Sequence, residues 1–433
     1  MPVPPVDPVE DSNSFPTQTD VVVIGGGIAG VLTALEMAER GRSVALLEKG
    51  IIAGEQSGRN WGWCRKMGRD HREVPLSKIA LDLWADMDQR VGGKTGFTRC
   101  GVAYLCQTDK QMASRENWYR EQALQNGLST RLMGADEARA LNPESSIDWK
   151  GGLITPDDGR AEPQHAVPAM AKAAMRLGVS IHQSCAVRGL VREKGAIAGV
   201  VTERGTIRCR QVVLAGGAWS RRFCHNEGVR LPQLTVINNV MRTAPLDDGP
   251  QVSLAGGGVA IRKCADGGYT VADDNYNVAD ILPDSFRLLK DFAPTIRRDW
   301  RDFKLRFGRR FFEDAALARR WKADEQSPFE QVRRFDPAPV KAVNKTAKAA
   351  LSRIHTQFEG VDVVDEWAGG IDVVPDVVPV IGSVPQIPGF FLATGLSGHG
   401  FGLGPGIAQL LAELMCETET CVDLAPFRYE RFG

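Results

Sequence analysis

The chain reads as an α/β protein: a Rossmann-like dinucleotide-binding domain joined to a mixed α+β domain built on an antiparallel sheet. Three observations predict this. Residues 20–48, DVVVIGGGIAGVLTALEMAERGRSVALLE, run strand, glycine turn, helix, strand. Segments within 179–210, 231–242 and 259–273 are short, strand-like and separated by polar or glycine turns. A second glycine-rich turn, 393–406, leads into the last helix. At 433 residues the chain exceeds one ordinary core and suits two domains.

Val21 to Ile24 form a continuous β-branched run, the pattern of a parallel strand covered on both faces. Gly25, Gly27 and Gly30 follow at G-x-G-x-x-G spacing. The first permits a tight turn, the second lets backbone approach a pyrophosphate, and the third lets the helix pack closely on the strand. Ile28, Val31, Leu32 and Leu35 recur at helical spacing, and the helix start offers free N–H groups and a positive dipole end to phosphate. Gly41 stops the helix. Ser43 to Leu47 is the second strand, and Glu48 ends it, placed to accept ribose hydroxyl hydrogen bonds. An acid there disfavours a 2′-phosphate, which leaves FAD or NAD.

Lys plus Arg (53) equals Asp plus Glu (53), so the charge balance points to no nucleic acid or anionic membrane partner. The nine cysteines are scattered without C-x-x-C or Cys/His clusters, and no metal site or disulfide framework is expected. Residues 1–19 read as a loose tail without the basic start and apolar run of a signal peptide. No stretch is long and apolar enough to span a bilayer. A cytoplasmic location is the expectation.

Residues 51–72 have no clear period and carry Arg59, Arg65, Arg69 and Arg72, so they read as a basic loop leaving the sheet's ligand-binding edge. Residues 75–91 have the apolar spacing of an amphipathic helix. Thr98–Gln107 is strand-like, 109–127 and 132–141 helical, and 151–160 turn-rich. The helix 163–177 ends at Gly178. Residues 211–218, QVVLAGGA, are a buried strand running into glycines, followed by Trp219. Residues 283–322 are helical and charged, and 340–358 helical. In the last turn six glycines between 395 and 406 crowd the approach to a helix expected at Ile407–Met415. Such a glycine-lined helix start can meet a flat ring and stabilise negative charge on it.

On these motifs the chain resembles the FAD-dependent D-amino-acid oxidase and sarcosine oxidase superfamily from Asp20 to Phe432. The anchors are VVVIGGGIAG with Glu48, SGRN at 57–60, the helix at 163, VVLAGGAWS at 212–220, PDVVPVIG at 375–382 and ATGLSGHGFGLGPG at 393–406. The resemblance implies a GR2-type FAD domain from 20–95, 155–225 and 360–433, with a substrate domain from 96–154 and 226–359. It implies Gly25, Gly27, Ile28 and Gly30 at the pyrophosphate, Glu48 and Lys49 at the adenosine ribose, and Ser57, Arg59 and Asn60 at the phosphate and flavin. Val187 would pair with adenine. Gly216 and Trp219 would lie beside the ribityl and adenosine portion. Gly398, His399, Gly400, Phe401 and Gly402 would line the isoalloxazine.

The resemblance further implies oxidation of an amine or amino acid by hydride transfer to flavin N5, giving an imine that water hydrolyses, with O₂ or an electron carrier as acceptor. His399 and Arg65 are the catalytic candidates, and Arg65, Arg69 and Arg262 the carboxylate-binding ones, a number that suits an iminodicarboxylic or N-carboxymethyl substrate. Two positions that hold covalently attached flavin in some relatives are Gly369 and Gly62 here, so non-covalent FAD is expected. Gly402 stands where sarcosine oxidase relatives place a lysine. Competing readings are an amine dehydrogenase with an acceptor other than O₂, and the FAD subunit of a multi-subunit amine oxidoreductase.

Overall fold

The computed structural model describes residues 4–274, 276–299 and 303–433. The dinucleotide motif lies in a six-stranded sheet, in the order 380–383, 390–394, 211–214, β1 (Val21–Ile24), β2 (Val44–Leu47) and 180–182. All neighbours are parallel except the edge pair 380–383 and 390–394. Val21, Val22 and Val23 have no exposed surface, as a covered parallel strand requires. Helix α1 (Ile28–Glu39) is also buried along most of its length. It is enclosed because Ile28, Leu32 and Leu35 share one core with Leu403, Ile407 and Leu411 of the Gly400–Met415 helix.

That last helix begins seven residues before the expected start at Ile407, taking Gly402, Gly404 and Gly406 into its body. Close packing is the reason. A Cβ at Gly402 would lie 3.0 Å from the Trp63 carbonyl oxygen, one at Gly404 2.8 Å from the Ile28 side chain, and one at Gly406 2.9 Å from the Leu76 carbonyl oxygen. Burial against three neighbours therefore outweighs the roughly 1 kcal/mol helix cost of each glycine. The indole of Trp84 fastens the contact by donating to the Gly402 carbonyl at 3.0 Å.

The second domain is built on a ten-stranded mixed sheet. Its longest pairing joins Leu234–Thr243 to Val363–Val373, antiparallel throughout. This places 363–373 in the same sheet as 234–243. Residues 131–134 form a strand against 151–155, and only 135–141 are helical. The helical spacing of 132–141 yields there to sheet pairing, since strand formation depends on neighbours that local spacing does not report. Residues 151–160, expected as turns, hold two strands for the same reason. Of the four short strands expected between 179 and 210, 180–182 joins β2 in parallel, while the other three form a separate antiparallel sheet. Residues 283–316 hold three helices and a strand at 303–306; residues 300–302 lie outside the described residues.

The segment before Asp20 is not loose. Asp7 N–H donates to the Gln164 carbonyl at 3.0 Å, Ser12 N–H to Ile181 at 2.9 Å and Thr19 N–H to Arg208 at 2.9 Å. Val9 is buried. Proline and acid content hides these tethers, because they are backbone bonds to distant segments; Met1–Val3 lie outside the described residues. Among the described residues no helix is long and apolar enough to cross a membrane.

Candidate functional site

A cavity of about 790 Å³ opens at the carboxyl ends of β1, β2 and the 211–214 strand, the edge where open parallel sheets bind ligands. Three glycines set the turn and helix start beneath it. Gly25 turns the chain at φ +112°, and any Cβ there would lie 2.3 Å from the Ala215 carbonyl oxygen. Gly27 faces open space on the cavity side, its added Cβ meeting only Ser57 Oγ at 3.1 Å. Gly30 lies behind the floor: its Cβ would strike the Gly25 carbonyl oxygen at 2.0 Å, so it permits helix packing and does not line the cavity.

The first turn of α1 therefore points its N–H groups at this space, an electropositive end suited to phosphate. Ser57 Oγ accepts the Ile28 N–H at 2.9 Å, which fixes the loop to the helix start. Glu48 accepts the N–H groups of Gly26 at 2.7 Å and Gly50 at 2.6 Å. Burial pushes its carboxyl above the usual range, and Lys49 with these two donors works the other way.

Lys49 donates to Glu55 at 2.7 Å and to the Val332 and Arg333 carbonyls, with its ammonium 4.3 Å over the Trp219 ring. Trp219 Nε1 donates to the same Glu55 carboxylate at 3.1 Å. Val187 and Gly216 stand in the same wall, together with Phe329. At the other end Gly398, His399, Gly400 and Phe401 line the cavity.

Several expected residues serve the structure differently. Arg262 does not reach the cavity. It is 1% exposed, donates to both oxygens of Glu162 at 2.7 and 3.0 Å and to the Trp61 carbonyl, so no donor pair is left for a substrate carboxylate. Gly402 faces Trp63 and not the cavity. Arg59 lines the cavity, but its terminal nitrogens are held by Asp336 and by the Gly54 and Phe335 carbonyls. Asn60 spends its amide on the Gln56 and Ser57 carbonyls and its oxygen on Gly62 N–H.

Arg65 and Arg69 do line the cavity. Arg65 leans on Trp63 and Tyr104, 5.9 and 5.6 Å from the ring centres, and donates to the Met67 carbonyl. Arg69 is buried, with Nη1 lacking a partner among the described residues. Burial, then Arg65, lowers its pKa to about 10.

Two further acids matter and carry no sequence signal. Glu73 is fully buried and meets His399 Nδ1 at 2.9 Å. Asp372 stands in the cavity wall with one oxygen bonded to Gln233 Nε2 at 3.1 Å and Leu396 N–H at 3.2 Å, and the other, buried, without a partner among the described residues. Burial raises its carboxyl to about 6. The open cradle at Gly27, the helix start and this spare oxygen fit a long polar cofactor with an anionic centre. Among the described residues no cluster of His, Cys, Asp or Glu could hold a metal ion.

Comparison with known proteins agrees with this geometry. The chain is 26% identical to 4-methylaminobutanoate oxidase (formaldehyde-forming) of Paenarthrobacter nicotinovorans over 97% of its own length and 46% of that protein's. It is 26% identical to glycine oxidase of Pseudomonas aeruginosa over 94% of its length and 97% of that enzyme. It thus spans about half the length of the first of these relatives and nearly all of the second. The solved structure of L-amino acid deaminase from Proteus myxofaciens in complex with anthranilate superimposes with a TM-score of 0.94 at 31% identity, over 98% of this chain and 96% of that one. A profile of the DAO family, FAD dependent oxidoreductase, matches residues 20–414. The fold, the cavity and this match across nearly the whole chain place the protein in the DAO family of FAD-dependent oxidoreductases.

Proposed function

We propose that the protein oxidises the C–N bond of an amino acid or N-substituted amino acid whose carboxylate is held by Arg65 and Arg69. The observation that carries this reading is Arg69: a buried guanidinium on the cavity wall beside His399, with Nη1 lacking a partner among the described residues. Its Nε donates to the Arg65 carbonyl at 3.3 Å, but Nη1 has lost water without gaining an acceptor among the described residues, which a planar carboxylate would supply. Arg262 is committed to Glu162, so two of the three candidate carboxylate-binding arginines, Arg65 and Arg69, face the site. One carboxylate is thereby accommodated more readily than two, and the relatives' names, amino-acid and N-methylamino-acid oxidising enzymes, favour that class.

Bound FAD supplies the two-electron acceptor. Gly25, Gly27, Ile28 and the α1 N-terminus would hold its pyrophosphate, Glu48 its ribose, and Val187, Trp219 and Phe329 its adenosine end. Gly398, Gly400 and Phe401 would border the ring, where the start of the Gly400–Met415 helix favours negative charge. The chain's own task is then orientation of the substrate and exclusion of water. FAD is held without a covalent bond in this reading: Gly369 and Gly62 offer no side chain, and the cysteine in the cavity wall, Cys185, is buried with its thiol raised to about 11 by burial.

The test is anaerobic mixing of the purified yellow protein with amino acids and N-alkyl amino acids. Bleaching by a carboxylate-bearing amine supports the reading, and no bleaching by any of them refutes it. Gly402, where sarcosine oxidase relatives place a carboxylate-holding lysine, packs on Trp63 and leaves that task to Arg65 and Arg69. A second reading is transfer to a carrier in place of O₂. Exposure of the bleached protein to air separates the two by the rate of peroxide formation.

A further inference from the structure

His399 and Glu73 meet where two helices begin. His399 immediately precedes the Gly400–Met415 helix and Glu73 the Val74–Ala85 helix, with Nδ1 and Oε1 2.9 Å apart. Glu73 has no exposed surface, and its second oxygen has no partner among the described residues. A buried carboxylate beside one imidazole nitrogen fixes the tautomer: Nδ1 carries the hydrogen and donates it, and Nε2 keeps its lone pair. His399 lines the cavity, and among the described residues no protein group bonds Nε2.

The charged groups facing this imidazole are Glu73, at the head of its helix, and Arg69 and Arg65 from the loop. Burial, then Arg69, holds His399 below its usual range, with Glu73 pulling the other way. Burial raises the Glu73 carboxyl, but His399 and Arg69 outweigh it and keep it below the usual range. A neutral imidazole against an ionised carboxylate is the resting arrangement of a proton acceptor.

Resting on the amine-oxidation reading above, we propose that His399 takes the proton a substrate ammonium must lose, and that Glu73 is the positioning residue that holds its tautomer. An amino acid reaches the site largely as an ammonium at neutral pH, with its nitrogen lone pair occupied. The α-nitrogen is one carbon from the carboxylate, so binding at Arg65 and Arg69 brings the ammonium beside their neighbour His399. One N–H bond of the ammonium breaks and one N–H bond forms at Nε2. The positive charge passes to the imidazolium, against the Glu73 carboxylate, and no electrons are gained or lost. The freed lone pair then supports departure of the α-hydrogen with its electron pair.

The experiment compares the wild-type holoenzyme with Glu73→Gln, Glu73→Asp and His399→Asn by two readouts. One is the pH dependence of kcat/KM for the amine that bleaches best. The other is the imidazole ¹⁵N titration, with His399 identified among the six histidines by its loss in H399N. The wild-type rate should rise through an acid limb that coincides with the His399 titration. E73Q should move limb and titration together to lower pH and reduce the plateau roughly 10-fold, E73D should restore most of both, and H399N should lose the limb and roughly 100-fold in rate. FAD content should stay at the wild-type level in all three. A limb that stays in place in E73Q or H399N, or that does not follow the imidazole, overturns the proposal while leaving amine oxidation standing. A wild-type protein reduced by no amine overturns the functional reading itself, and the proton-acceptor role with it.

Discussion

Replacing Glu162 by Gln should unfold the protein far more readily while leaving the composition of the cavity wall intact. Glu162 accepts two bonds from Arg262 and a third from Ala265 N–H at 2.9 Å. The two side chains are 4% and 1% exposed, so water screens neither. Removing one charge leaves a buried guanidinium uncompensated, which costs about 3 to 5 kcal/mol. Replacing both partners by Met should recover most of that loss, because a buried ion pair exchanged for apolar groups of similar volume is close to neutral. The assay is denaturant unfolding of E162Q, R262M and the double variant at a fixed excess of FAD, since bound cofactor adds its own stabilisation.

The pH dependence follows with a definite sign. Burial raises the Glu162 carboxyl, but Arg262 outweighs it and the folded value is lowered. The pair's contribution is thus fully present above the unfolded carboxyl value, near 4, and is lost as pH falls through the lower folded value. The double variant should lack this acid-sensitive component. E162Q within about 0.5 kcal/mol of wild type, or R262M with wild-type stability and a large rise in KM, would refute the structural assignment and return Arg262 to the substrate.

Other outcomes test the site directly. Gly27→Val should abolish FAD retention, because a branched side chain fills the space left between the helix start and Ser57; flavin absorbance per chain after gel filtration checks it. Arg65→Ala should cost about 2 to 5 kcal/mol in transition-state binding, roughly 30-fold to several thousandfold in kcat/KM on a carboxylate substrate, with FAD content unchanged. Denaturation in acid should leave the flavin in the supernatant; colour in the precipitate would contradict non-covalent binding.

The dinucleotide half of the fold was legible because its signals are local. Val21–Ile24, the three glycines and Glu48 are dictated by turn geometry and strand burial within thirty residues, and each stands where its spacing required. The same confinement explains the failures. The pairing of Leu234–Thr243 with Val363–Val373 joins segments more than a hundred residues apart, and nothing in either announces the other. Arg262 carried the same charge signal as Arg69, and only the fold shows that one faces Glu162 and the other the cavity. Glu73 looked like an ordinary acid before a helix, since its proposed role depends on His399, 326 residues later.

The glycine notches in the Gly400–Met415 helix have a consequence for biosynthesis. The helix covers the face of α1 that carries Ile28, yet it is made 372 residues after it. At about 5 to 20 residues per second, that apolar face waits on the order of 20 to 75 s on the ribosome before its cover is translated. The wait makes α1 a target for chaperones and proteases in every nascent chain. Chains stalled just before Gly400 should therefore be cut within α1 by a mild protease, whereas released full-length protein should resist. Equal resistance of the two would show that α1 finds another cover during synthesis.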